Sequence, residues 1–334
     1  MKPVVWGILS TARIGTVQVI PGMQKSKLVD IRGIASRSLD KAEAAARELG
    51  IPRAYGSYEE LLADPEIEAV YNPLPNHLHV PLTLKALAAG KHVLCEKPIA
   101  MNAAEARQLV DARDRTGLIV EEAFMVRHAR QWKRVCELVV SGAIGELRTI
   151  QGFFSYYMDD PANIRSVLEW GGGGVLDIGC YPIVTSRMVT GLEPSRIVAA
   201  VRRHADLKVD WLASAIMEFP NGVIASWTCS TQVADYQRMH FVGTKGRIEV
   251  EIPFNAPKTV PCRLLIDDGS DLHGGGIRVE EVPVCDHYTA QGEDFSRAVR
   301  GEMAPVVSLE SSVANMRVLD AVFESERKGG WVKL

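Results

Sequence analysis

Residues 6–15 read WGILSTARIG, an apolar run that breaks at a serine and resumes as a helix-like segment through a glycine. A strand that turns into a helix in this way is a candidate pyrophosphate cradle, because small residues let the backbone approach an anion and the helix N-terminus offers unpaired N–H groups. The dinucleotide fingerprint asks for G-x-G-x-x-G, and the three positions here hold Ser10, Ala12 and Gly15. The motif is degraded but its context is right, so Ser10, Thr11, Ala12, Arg13 and Ile14 are read as cofactor contacts.

The same texture repeats outward from this stretch. Apolar runs at 4–9, 29–36, 69–74 and 92–96 are each followed by a helix-like segment, at 13–24, 40–49, 79–89 and 103–116, and 118–124 reads as one more strand. Strand and helix in alternation predict a doubly wound parallel sheet, an α/β domain spanning 1–123. Beyond a helical segment at 128–141 the strands lengthen: 147–158, 196–205, 211–219, 223–232, 236–243 and 247–252. Pro220-Asn221-Gly222 and Thr244-Lys245-Gly246 lie between consecutive members as hairpin turns, which makes 124–334 an α+β domain built on a large, open, mostly antiparallel sheet. Helices are expected near 174–190, 288–301 and 308–327, the last a candidate to pack back on the first domain. Phe153, Phe154, Tyr156 and Tyr157 are nearly consecutive in one strand, so they point to both faces and call for a second covering layer, another subunit among the options.

The chain has 334 residues, 47% hydrophobic and 24% charged, with a formal net charge of -3, the balance of a globular two-domain protein. No dense Lys/Arg block offers a basis for nucleic-acid binding, and no apolar run approaches the roughly 20 residues that span a bilayer. The first residues pass straight into a folding motif, and the six cysteines are scattered with no C-x-x-C pair. The expected compartment is the cytoplasm, with reduced thiols, no structural or catalytic metal, no nucleic-acid partner and no membrane association. His77 and His79 lack the carboxylate-histidine company of a hydrolytic zinc site.

After the second strand an NAD-selective protein usually places Asp or Glu to hold the ribose hydroxyls. Here Ser36, Arg37 and Ser38 follow, with Lys41 a turn later, which suits a 2′-phosphate and predicts NADP over NAD. The loop after the third strand contributes Pro73, Leu74, Asn76 and His79 as further cofactor neighbours. At 90–99 the sequence GKHVLCEKPI ends a strand with Glu96, Lys97 and Pro98 beside the same crevice, where a lysine can hold a substrate oxygen. In EWGGGGVLDIGCYPIV (169–184) four glycines suit a close backbone approach to a ligand, and Asp177 and Tyr181 share a helix face at i and i+4. Pro182 should distort that helix, since it cannot bond to the Ile178 carbonyl. Arg127, His128, Asp159, Asn163 and Arg165 add polar groups near the expected domain junction.

Taken in order, GILSTARIG, IASRSLDKAE, PNHLH, GKHVLCEKP, GGGGVLDIGCYPI and FVGTKGRIEVE make the chain resemble the glucose-fructose oxidoreductase, inositol dehydrogenase and rhizopine-catabolism (Gfo/Idh/MocA) family over nearly its whole length. Within it the chain is most similar to the branch of NADP-linked sugar dehydrogenases and dihydrodiol dehydrogenase. The resemblance implies a Rossmann domain, a C-terminal domain whose open sheet pairs subunits into a homodimer or homotetramer, and Lys97 and Asp177 at the positions of the family's lysine and aspartate. Tyr181 falls where many members carry histidine and this branch carries tyrosine. Ser10 and Ala12 depart from the family's glycines, and Arg130 stands where relatives often have proline.

The implied reaction is hydride exchange between NADP and a sugar carbon bearing a hydroxyl, most plausibly oxidation of an aldose such as D-xylose at C1 to a lactone. Tyr181 is the expected general base, Lys97 the cation that lowers its pKa from about 10 and steadies the alkoxide, and Asp177 the orienting group. Lys97, Arg127, Asp159, Asn163, Arg165, Asp177 and Tyr181 are the expected substrate-binding set. Rival readings are oxidation of a cyclic dihydrodiol, reduction of a keto-sugar, and a non-catalytic sensor of sugar and nucleotide.

Overall fold

The computed structural model describes residues 2–334 as two compact units. One unit takes the residues up to His128 together with Asp286–Val313, and the other takes Ala129–Cys285 with Ala314–Leu334.

The first unit is built on strands β1 (Val4–Leu9), β2 (Val29–Ala35), β3 (Arg53–Tyr55), β4 (Ala69–Asn72), β5 (His92–Cys95) and β6 (Val120–Glu122). They form one sheet in the order β3-β2-β1-β4-β5-β6, every pairing parallel. That order reverses between β1 and β4, so the loops following these two strands lie side by side at the carboxyl edge. Every residue of β1 and β4 is buried, the mark of a strand covered on both faces. Local signals set the helices between: Asn102 accepts from the Glu105 amide at 2.9 Å to open Ala103–Thr116, and Gly117, at φ 69°, closes it in the left-handed conformation.

Helix His287–Val299 belongs to this unit, with Phe295 fully buried and its ring 5.0 Å from that of Trp6. The expected division at 123/124 is therefore corrected in two ways. The first unit extends to His128, and Asp286–Val313 returns to it, where Phe295 packs its ring against Trp6. Helix Leu309–Lys328 is divided, with its first turn grouped in the first unit and the residues from Ala314 onward in the second.

The second unit carries β7 (Leu147–Tyr157), β8 (Arg196–Arg203), β9 (Asp210–Glu218), β10 (Ile224–Ser230), β11 (Gln232–Gly243), β12 (Arg247–Val250), β13 (Cys262–Asp267), β14 (Ile277–Val282) and β15 (Val332–Lys333). The sheet order is β14-β13-β12-β11-β7-β10-β9-β8-β15, antiparallel throughout except where β7 runs parallel to β10. Both expected hairpins form. Strands β3, β13, β14 and β15 were not foreseen: β3 and β15 are too short for a period, and β13 and β14 carry charged residues that mask their alternation.

One face of this sheet is covered by a continuous helical segment, Val175–Gly179 as a π turn and Cys180–Thr190 as α-helix. The π turn is the distortion expected from Pro182. Close approach is set at Gly152, where a Cβ would lie 2.9 Å from the Pro182 Cβ and 2.7 Å from the Met239 sulfur. On the other face Ile216, Ile224, Tyr236 and Tyr157 are exposed, and a shallow cavity of about 400 Å³ is lined by residues such as Val198, Ser214, Ile216 and Thr228.

Candidate functional site

In the first unit β1 ends at Leu9 and Ser10 takes φ 140°, a conformation that favours glycine. The backbone thus holds the fingerprint geometry without the glycine, and the Ser10 hydroxyl accepts from the Ala12 amide at 3.0 Å. Gly15 then opens a π turn that runs to Val19, close to Tyr71 and Pro73 from the β4 edge. Thr11, Arg13 and Ile14 complete the loop, and Ile14 is exposed.

After β2, Ser36 is buried and Arg37 and Lys41 are exposed, neither paired with a carboxylate among the described residues. Ser38 precedes helix Leu39–Leu49 as its cap residue, yet its hydroxyl makes no capping bond. Two hydroxyls and two cations are thus grouped here, with no acid at 36–38 and Asp40 in the first turn of the helix that follows.

The loop after β4 is held from beneath by Asn72, whose amide donates to the His79 carbonyl at 3.2 Å and to Thr83 at 3.3 Å. Leu74 is buried, and Asn76 begins the short turn Asn76–Leu78. His79, expected among the cofactor contacts, is corrected to a loop tie. It is 1% exposed, with Nδ1 at 2.7 Å from the Pro98 carbonyl and Nε2 at 2.7 Å from the Leu74 carbonyl. Burial pulls its pKa down to about 4, while the two carbonyls, which each call for an N–H donor, act in the opposite direction.

At the end of β5 the Tyr71 phenol donates to Glu96 at 2.6 Å, while the other carboxylate oxygen accepts from the Lys97 amide at 3.2 Å. Lys97 is half-buried and joined to Pro98 by a cis peptide. Arg127 donates to the Val306 carbonyl at 3.4 Å. His128 is fully buried between Glu121, 3.3 Å from Nε2, and Asp294, 2.9 Å from Nδ1. Burial pulls the His128 pKa down, but the two carboxylates outweigh it and the net shift is upward.

In the second unit Asp177 lies on the π turn, and its Oδ2 accepts from the Tyr156 phenol at 2.6 Å and from Arg165 Nε at 2.7 Å. Asn163 caps the turn Ile164–Ser166 through the Arg165 amide at 3.0 Å, so it aims the guanidinium rather than offering its own amide. Tyr181, 5% exposed, packs its ring against Phe154 at 5.6 Å and Phe254 at 5.4 Å. Asp177 is the main cause holding the Arg165 guanidinium well above its usual pKa, with burial opposing and Tyr156 and Tyr181 adding to it. Asp177, Tyr156, Arg165 and Tyr181 therefore form one cluster. Asp159 is corrected out of it: it is exposed and accepts from Tyr157 at 3.3 Å, and Tyr157 points to the open face. The glycine run also has a different purpose from the one expected. A Cβ on Gly173, at φ 117°, would fall 2.1 Å from Asp210, and one on Gly172 would fall 2.4 Å from the Arg165 carbonyl. These glycines admit the protein's own groups.

Tyr156 was read only as a sheet aromatic, and Tyr71, Glu121, Asp294 and Asp210 escaped notice. Parity was the available signal for Tyr156, since it shares a face of β7 with Phe154 and hence with the helix. The others carry no local signal.

Residues 4–124 match the family described as "Oxidoreductase family, NAD-binding Rossmann fold", and residues 132–249 match "GFO/IDH/MocA C-terminal domain". An uncharacterized oxidoreductase of Rhizobium meliloti is 44% identical over 99% of both chains. D-xylose 1-dehydrogenase (NADP(+)) 2 of Haloferax volcanii is 38% identical, covering 98% of this chain and 99% of that one. Among solved structures, the 3-ketoreductase KijD10 from Actinomadura kijaniata, in complex with NADP and TDP-benzene, is 29% identical and superposes with a TM-score of 0.91 over 97% of this chain and 98% of that one. Among the described residues no helix is long and apolar enough to cross a membrane. With its fingerprint loop, its E-K-P strand end and its aspartate-tyrosine helix all carried on the matching folds, the chain belongs to the GFO/IDH/MocA family of NAD(P)-dependent oxidoreductases.

Proposed function

We propose that the protein oxidises an aldose, D-xylose or a similar sugar, at C1 to a lactone with NADP as partner. The observation that carries this reading is the cluster on the second unit's helix: a carboxylate fixed by Arg165 and Tyr156, followed one turn later by Tyr181. A carboxylate so fixed accepts hydroxyl protons in a set direction, and a phenol beside it exchanges a proton with the reacting hydroxyl.

The first unit's loops fit the cofactor. Ser10 holds the glycine-like backbone, and Ser36, Arg37, Ser38 and Lys41 supply hydroxyls and positive charge, with no acid at 36–38 where an NAD-selective site would place one. The fingerprint loop with Pro73, Leu74, Asn76, Glu96 and Lys97 accounts for the rest of the binding set. Bound NADP supplies the hydride acceptor, and in reverse the donor. Tyr181 takes the hydroxyl proton, Lys97 steadies the negative charge left on oxygen, and Asp177 with Arg165 orients the sugar. Arg127 is kept as a candidate substrate contact.

The test is the initial rate of NADP and NAD reduction with a panel of aldoses. Rapid reduction of NADP by a pentose or hexose supports the reading, and NAD reduction at the higher rate sinks its cofactor half. Keto-sugar reduction is the second reading, favoured by the likeness to KijD10. It predicts NADPH oxidation with a keto-sugar and none of NADP reduction with aldoses. A dihydrodiol in the same panel tests the remaining enzymatic alternative, and nucleotide binding without any turnover would indicate a sensor.

A homodimer or homotetramer joined through the open sheet face accounts for the exposed Ile216 and Ile224. Light scattering on the parent and on Ile216→Asp tests it: a monomeric parent rules it out. No disulfide joins the six cysteines, all of which are among the described residues, and the compartment proposed is the reducing cytoplasm.

A further inference from the structure

Tyr71 is fully buried in β4, where phenylalanine would fill the same space without a hydroxyl to satisfy. Its phenol meets one oxygen of Glu96 at 2.6 Å, and the other oxygen meets the Lys97 amide at 3.2 Å, so one carboxylate ties β4 to the residue that bears the lysine. Tyr288, at the start of helix His287–Val299, stands near enough to the same carboxylate for that charge to raise its phenol's pKa. It is 8% exposed and tightly seated: a Cβ on Gly22 would lie 2.7 Å from the Tyr288 Cβ, and Thr289 donates to the Gly22 carbonyl at 2.7 Å.

We propose that Tyr71 and Tyr288 are positioning residues for Lys97, acting through the carboxylate of Glu96; the proposal rests on the reading of Lys97 as a catalytic residue. Tyr71, kept as a donor, holds Glu96 ionised and in place with Tyr288 seated beside them, and the ionised carboxylate keeps the adjacent lysine an oriented ammonium. The titration directions agree. Burial first, then Glu96, pushes both phenols up, and for Tyr288 the nearby Lys97 opposes the rise. Other ionisable groups around this segment are His79, held between the Pro98 and Leu74 carbonyls, Cys95, which raises Tyr71 slightly, Glu122, which accepts from the Ile99 amide at 2.9 Å, and Asp286, which raises Tyr288 further. None of them replaces Glu96 as the carboxylate bonded to the Lys97 backbone.

The test measures Lys97 directly, by the pH dependence of its acylation in the whole protein, read by peptide mass spectrometry in the parent, Tyr71→Phe, Tyr288→Phe and Glu96→Gln. The midpoint should fall furthest in Glu96→Gln and by about one pH unit in the phenol variants, since each loosens the charge beside the ammonium. With D-xylose and NADP, or the fastest sugar of the panel, kcat should fall about tenfold with KM within about twofold. Melting temperature and NADP affinity identify a variant that has lost its fold, and Tyr288→Phe with Glu96→Gln carries the test if Tyr71→Phe is one. An unchanged midpoint and kcat in the folded phenol variants overturns the proposal while leaving Lys97 catalytic. Normal turnover by Lys97→Met overturns the catalytic reading and the proposal together.

Discussion

In the first unit Glu121, His128 and Asp294 form a charge chain whose central His128 and Glu121 side chains are wholly buried; in the second, Tyr156, Asp177 and Arg165 form one whose guanidinium side chain is 39% exposed. The first sets a histidine between two carboxylates and the second sets a carboxylate between a guanidinium and a phenol, and they differ in access. In the sealed chain the attraction acts in a medium that screens little, so removing a partner leaves a buried charge with nothing to replace it. In the open cluster water can take over a lost bond, and so can a ligand hydroxyl. A sealed bridge serves the fold, whereas one edge of an open bridge is available to a substrate.

The largest effect that sharpens this contrast is on activity. Tyr181→Phe should reduce kcat by about 10²–10⁴-fold while the melting temperature stays near that of the parent, and steady-state rates beside a thermal scan check both halves. Next is stability. His128→Leu leaves Glu121 and Asp294 without their cation and should cost about 3–5 kcal/mol in urea unfolding, whereas Arg165→Leu, in the open cluster, should cost about 1–3 kcal/mol. Equal losses would break the comparison. Arg37→Ala, on the exposed loop after β2, should weaken NADP about tenfold and leave NAD unchanged, about 1.4 kcal/mol by titration calorimetry.

The smallest effect is the pH dependence. The folded pKa of His128 lies above its unfolded value, so its contribution is complete below about pH 6.5 and is lost as pH rises through the raised value. Asp210, raised to about 6 chiefly by burial, has the same sign, its contribution being complete below its unfolded value of about 3.8 and lost as pH rises through about 6. Urea midpoints across pH 5–9 should therefore fall on the alkaline side in the parent, and the fall should be shallower in His128→Leu.

The parallel sheet was legible because β1, β2, β4 and β5 are short, mostly apolar runs, interrupted in β2 by Asp30 and Arg32, each followed by a helix pattern. Lys97, Asp177 and Tyr181 were legible because each stands at a strand end or on a helix face that local spacing defines. Asn163 and His79 were legible as residues worth naming but not in their roles, since capping and loop-tying depend on what lies across from them. The glycine run was misread for a similar reason: close approach was evident, and its object, Asp210, lies some 35 residues away in sequence.

By itself the sequence determined the alternation of strand and helix, the fingerprint loop, the absence of an acid after β2 and the chemical identity of the candidate catalytic groups. These follow from residues within a turn or two of one another, where backbone propensity and side-chain period act. Only the tertiary structure decided that Asp286–Val313 rejoins the first unit, that Tyr71 meets Glu96, and that His128 bridges Glu121 to an aspartate 166 residues away. Such pairings arise because a buried polar group must find a partner wherever the fold brings one, and the partner's distance along the chain does not enter its energy.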